Sequence, residues 1–93
     1  MIRIRIDTTT TTETGWIFKV TISNGTSTVH NVNLTNEYYE HLSIPDVKPD
    51  KLVESSFMFL LDREPKEMIL GTFDLQVISR FFPEYEKRIS EYI

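Results

Sequence analysis

From Trp16 to Ser23 the apolar residues Trp16, Phe18, Val20 and Ile22 fall on every second position, and Asn24-Gly25 follows at once. Alternation gives an extended strand one apolar and one polar face, and Asn-Gly is a strong turn signal, so this stretch predicts a half-buried hairpin returning through Thr26 to Leu34. The same residues restrict the register. A two-residue Asn24-Gly25 loop sets Ile17 against Val32 and Trp16 against Asn33, which puts the apolar residues of the two strands on opposite faces. A three-residue loop, Ser23-Asn24-Gly25, sets Ile22 against Thr26, Phe18 against His30 and Trp16 against Val32, and places glycine where left-handed dihedrals are needed. The second register is the predicted one.

Upstream, Ile2, Ile4 and Ile6 alternate with Arg3 and Arg5 as a further strand, which Asp7 is expected to end. Six of the seven residues from Thr8 to Thr14 are threonine. The tract tolerates extension but its uniformity specifies no register, so it reads as a mobile or extended solvated connector rather than a phosphorylation or ligand-contact loop. Strands of this length with one apolar face require a helical layer to cover them.

The remainder of the chain has helical periodicity. Thr35 is placed to cap a short helix through about Leu42, with Tyr38 and Leu42 facing inward. Pro49 suits the first turn of a second helix, running to about Asp62, whose apolar positions Leu52, Val53, Phe57, Phe59, Leu60 and Leu61 cover more than one stripe. A helix of that kind is central or dimer-forming. Pro65 opens a short helical turn that ends at Gly71. Asp74 is expected to cap Leu75 to Phe82, with Leu75, Ile78 and Phe82 inward, before Pro83 breaks the run. In the last segment Tyr85, Ile89 and Tyr92 share one face, with Glu84 and Arg88 expected to pair on the other.

Length and composition narrow the functional classes. A chain of 93 residues predicts one domain, β-rich over 1–34 and helical over 35–93. The net charge is −4 and both halves carry more acids than bases, so there is no basic arm and nucleic acid is a poor default partner. There is no cysteine, which removes disulfides, thiolate metal sites and thiol nucleophiles together. The start MIRIRID lacks the apolar core of a signal peptide, and the longest apolar run, Phe57 to Leu61, is too short to span a bilayer. A cytoplasmic protein, without membrane insertion, is the expectation.

No catalytic or ligand-binding motif emerges. The acid–base or metal candidates are His30, His41, Asp62, Glu64 and Glu67. His30 shares the face of Val32, so it is expected to be partly buried and hydrogen-bonded; Glu37 lies one helical turn before His41 and could orient it. Arg63 and Lys66 sit among the three carboxylates and are expected to neutralise them in a salt-bridged corner between helices. The three glycines are far apart, which leaves no phosphate cradle, and no cofactor is expected. Met68 to Phe82 superficially resembles a helix-turn-helix, but Glu67, Thr72 and Arg80 occupy positions where that motif wants a small residue and two apolar ones. The pairs Tyr38-Tyr39 and Phe81-Phe82 cannot place all their rings on one buried stripe, so some aromatic surface is expected to be left over, as ordinary core edge or, in the functional alternative, as a partner or self-association surface.

The pattern FxFLLxREPKExILxxFDLxVISRxFPEYE, with His30-Asn31-Val32 and Leu34-Thr35-x-x-Tyr38-Tyr39 before it, resembles a family of short uncharacterised prokaryotic proteins. The likeness extends over most of Trp16 to Ile89 and leaves out the threonine tract and the first strand. It implies a prokaryotic, cytoplasmic, single-domain protein and carries no activity or site residues with it.

The fold expected is α+β: a small N-terminal antiparallel sheet of two to three strands, covered on one face by three to four C-terminal helices. The function expected is a non-catalytic protein-interaction or regulatory module, binding a protein partner or a second copy of itself through Phe57, Phe59, Leu61, Arg80, Phe81, Phe82 and Tyr85. Two alternatives carry their own geometric requirements. A small enzyme would need a histidine and two of Asp62, Glu64 and Glu67 to converge in a cleft. A weak nucleic-acid binder would need Arg63, Lys66, Arg80, Lys87 and Arg88 to form one continuous patch.

Overall fold

Alternating apolar and β-branched residues build three antiparallel strands in succession, β1 Arg3–Thr12, β2 Gly15–Asn24 and β3 Thr26–Thr35. In the computed structural model, which describes residues 1–93, the sheet order is β1-β2-β3-β4, where β4 is a short strand, Thr72–Asp74, lying parallel to β3. Helices from the C-terminal part cover one face, so the domain is α+β as expected. β4 is the addition: three residues alternating polar, apolar, polar are too few to give a strand signal.

The hairpin keeps the predicted faces but not the predicted pairing. Phe18 stands opposite Val32, Trp16 opposite Leu34, Val20 opposite His30 and Ile22 opposite Thr28, a slide of two residues that puts Gly25 rather than Asn24 at the apex. Gly25 has φ 78°, the left-handed conformation for which glycine is suited. The slide preserves every side chain's face because the strand period is two, and it matches Leu34 with Trp16 where the predicted register would have matched it with Thr14.

The threonine tract is not a connector. β1 continues past Asp7, which lies opposite Lys19, and runs to Thr12 opposite Gly15, with a bulge between Thr8 and Thr10. Threonine is a good strand former, and β2 supplies the register that the tract itself lacks. At the turn, the backbone of Gly15 lies so close to β3 that an added Cβ would come within 2.0 Å of the Leu34 carbonyl oxygen.

Thr35 caps α1, Asn36–Leu42, by accepting a 3.0 Å hydrogen bond from the Tyr38 N–H. Pro49 begins α2, Pro49–Leu61, which is the centre of the molecule: Leu52, Val53, Phe57, Phe59 and Leu60 are all buried. One side of α2 lies on the sheet face formed by Phe18, Val20, Ile22, Val32 and Leu34. Its other side meets the C-terminal turns, α3 Ile78–Phe81, α4 Tyr85–Arg88 and a 3₁₀ turn Ile89–Tyr92. Phe59 is the hub there, with ring centroids 6.0 Å from Phe82, 5.2 Å from Tyr85 and 5.7 Å from Tyr92. The buried Tyr85 hydroxyl bonds Ser56 Oγ at 2.6 Å, and Ser56 donates in turn to the Leu52 carbonyl. The neighbouring Ser55 hydroxyl is buried without a partner.

Several local expectations are corrected. The segment after β4 starts as a 3₁₀ turn, Leu75–Val77, and Asp74 does not cap it; its carboxylate accepts from Asn33 Nδ2 at 3.0 Å across the β3–β4 pair. Glu84 pairs with Arg63 at 3.1 Å, and Arg88 with Glu91 at 3.6 Å, because the short α4 turns Glu84 toward the end of α2 instead of along its own axis.

Two substitutions have opposite expected effects in urea denaturation. Gly15→Ala must push β2 off β3 and should cost about 1–3 kcal/mol. Ser55→Ala removes an unpaired buried hydroxyl and adds helix propensity, and should stabilise by about 0.5–1 kcal/mol; a loss instead would mean the hydroxyl has a partner.

Candidate functional site

The chain leaves α2 at Asp62 and reaches β4 only ten residues later, and this connection forms one wall of a groove. Pro65, at φ −70° and ψ 157°, is extended and starts a 3₁₀ turn over Lys66–Met68. Ile69 is buried beyond it. The next residue is anchored by its main chain: His30 Nδ1 lies 2.7 Å from the Leu70 carbonyl oxygen, and the Gly71 carbonyl accepts from the Asn31 N–H at 2.7 Å. With its carbonyl held inward, Leu70 presents its side chain outward and is 48 % exposed.

Val77, Ile78, Phe81 and Phe82 form the opposite wall, and Leu60 of α2 and Phe73 of β4 lie between. The groove has a volume of about 360 Å³ and is apolar except for Glu64. Met68, Leu70 and Phe81 stand on it at 67 %, 48 % and 65 % exposure, so three of the molecule's exposed large apolar side chains surround one depression. Clustered exposure of that kind makes the depression a candidate site, whereas isolated exposed apolar residues need no explanation. The volume is at the low end of the roughly 300–1,000 Å³ of small-molecule pockets and suits a few side chains of a larger partner.

Glu64 makes no ion pair, and burial among these residues pushes its carboxyl above the usual carboxylate range. Its neighbours in sequence are engaged elsewhere. Arg63 lies over the Phe59 ring, with Cζ 3.6 Å from the centroid, and bonds Glu84, whose carboxyl is held below its usual value by its own backbone N–H and by Arg63. Lys66 is buried against Glu67 at 2.6 Å, which lowers the Glu67 carboxyl, and Asp62 accepts from the Tyr92 hydroxyl at 2.6 Å. The expected salt-bridged corner therefore exists only in part: Lys66 neutralises Glu67, while Arg63 reaches Glu84 and Glu64 is left over.

The candidate histidines do not join these carboxylates. His30 is 2 % exposed, with Thr28 Oγ1 2.8 Å from Nε2, the buried and hydrogen-bonded histidine expected, though opposite Val20 instead of Phe18. His41 stacks on Tyr38 and meets Glu86 at 3.3 Å, not Glu37. Tyr38 also donates to Glu86, at 2.8 Å, and its phenol is raised by burial and by that carboxylate. No three His, Asp or Glu side chains come together in a metal-binding arrangement. Of the basic residues that a nucleic-acid patch would need, Arg63, Lys66 and Arg88 each lie against a carboxylate.

Of the predicted interaction residues, Phe81 and Phe82 line the groove and Arg80 is exposed beside them. Phe57, Phe59 and Tyr85 are corrections: all three are fully buried in the core, and Leu61 is half-buried. The helix that looked over-supplied with apolar residues is buried on two sides, which absorbs the surplus. Met68 and Leu70 were missed. Their signal was the pair of apolar residues flanking buried Ile69, which cannot all face one way in a short turn.

By its architecture the domain is a small α+β fold. No protein-family model, curated protein or solved structure matches the chain. No helix is long and apolar enough to cross a membrane.

Glu64 supplies a pH prediction. A carboxyl raised on folding destabilises the folded state once ionised, so its cost appears as pH rises through the carboxylate range. Glu64→Gln should therefore raise the melting temperature near pH 8 and leave it unchanged near about pH 3.5. An equal shift at both pH values would assign the effect to something other than ionisation.

Proposed function

We propose that this domain is a non-catalytic binding module that engages a protein partner through the groove between the Pro65–Leu70 connection and α3. The observation that carries the reading is the clustering of exposed Met68, Leu70 and Phe81 around one apolar depression. Burial of such side chains by a partner is favourable by about 25 cal/mol per Å² of apolar area before the cost of association is subtracted. The walls suit this role. Leu70 and Gly71 are pinned to β3 by main-chain hydrogen bonds, and Phe82 is held against Phe59, so little ordering is needed when a partner arrives.

The test is a comparison of tagged variants in a pull-down from native lysate. The Met68→Glu, Phe81→Glu double variant should lose a stoichiometric protein captured by the wild type, by about tenfold or more, while Lys19→Glu on the open sheet face retains it. Identical capture by all three proteins would sink the reading. Self-association through the same surface is read separately, from the molar mass of the purified wild type against that of the double variant.

A further inference from the structure

β4 has a neighbour on one side only, since the sheet runs β1-β2-β3-β4 and ends there. Main-chain polar groups alternate along a strand. The Gly71 carbonyl accepts from Asn31, so Gly71 and Phe73 direct theirs toward β3, and the N–H and C=O of Thr72 face the open side. Two depressions flank that edge. The apolar groove lies on the helix side; on the outer face of the sheet is a second depression of about 420 Å³, where Asn31, Asn33, Thr72 and Asp74 stand among apolar side chains that include Ile17. Leu70, Phe73 and Val77 border both, so the two are opposite sides of one edge.

An extended segment sends successive side chains to opposite faces. Laid beside β4 it would place alternate side chains in the apolar groove and over the outer depression, while its main chain met the outward groups of Thr72. A helix in the groove would leave the Thr72 main chain and the outer depression unused. Glu64 adds a charge requirement, because it is the one charged residue lining the groove and it has no counter-ion. A basic side chain entering the groove would supply one.

We propose that the open edge of β4 takes an extended segment of a partner protein as a fifth strand, with apolar side chains and one Lys or Arg on the side that enters the groove, the basic one meeting Glu64. This rests on the groove being a binding surface, and it specifies what the groove binds.

The probe is a capped peptide of alternating valine and threonine with its central valine replaced by lysine. Its controls are the same peptide with glutamate for lysine, two versions N-methylated at alternate residues in the two phases, and an amphipathic helical peptide of leucine, alanine and lysine. The readouts are amide NMR shifts and the hydrogen-exchange rate of the Thr72 N–H on the full-length protein. The lysine peptide should slow Thr72 exchange by about tenfold at saturation. It should bind about fivefold tighter than the glutamate peptide, with the preference abolished in Glu64→Gln, and only one N-methylated phase should retain binding. Groove occupation by the helical peptide, sensitive to Phe81→Glu and without Thr72 protection, would overturn strand addition while leaving the groove reading in place. Failure of every peptide to perturb Thr72 overturns it as well, and the pull-down then decides the groove independently.

Discussion

Burial of α2 on both sides is the constraint from which the rest of this structure follows. Phe57 faces the sheet, with its ring 5.5 Å from His30 and 6.0 Å from Phe73, and Phe59 faces the C-terminal turns. A helix of thirteen residues that is apolar on two faces cannot be finished by a sheet alone. The short C-terminal segments supply the second cover, and being too short to be stable by themselves they are held by what they pack on. Phe82, Tyr85, Ile89 and Tyr92 converge on α2, and Arg63 closes the end of the helix over the Phe59 ring.

The groove arises from the same arrangement. After α2 the chain must return to the far edge of the sheet to form β4, and it does so in an extended and 3₁₀ path that is too narrow to fill the space between β4 and α3. His30 stabilises this return. Buried in β3, it bridges the Thr28 hydroxyl and the Leu70 carbonyl, both of which would otherwise lack these partners in the interior. A histidine that resembled a chemical candidate thus serves to position the rim of a surface. The local cost is an ionisable group, Glu64, placed among apolar side chains.

Much of the architecture was legible because it depends on period and on local chemistry. The apolar alternation of Trp16 to Ile22 predicted the faces of β2, Thr35 predicted the start of α1, and Pro49 the start of α2. What was not legible depends on partners. The threonines of β1 carry no pattern of their own and take their register from β2, and of the two hairpin registers that keep the same faces only the observed one matches Trp16 with Leu34. The site was half legible. The adjacent aromatic pairs pointed to Phe81 and Phe82, while the apolar surplus of α2 selected Phe57 and Phe59, since a sequence does not distinguish a helix buried on two sides from one with an exposed apolar stripe.

By itself, then, the sequence determined the α+β class, the succession of β1 to β3 before the helices, and the starts of α1 at the Thr35 cap and of α2 at Pro49, all of which follow from spacing over a few residues. Tertiary structure alone decided that β4 forms, that Glu64 remains unpaired while Arg63 reaches Glu84, and that Met68, Leu70 and Phe81 meet around one groove. These three results share a physical reason. Each depends on which distant segment fills the space beside a residue, and that is settled only when the two sides of α2 are packed.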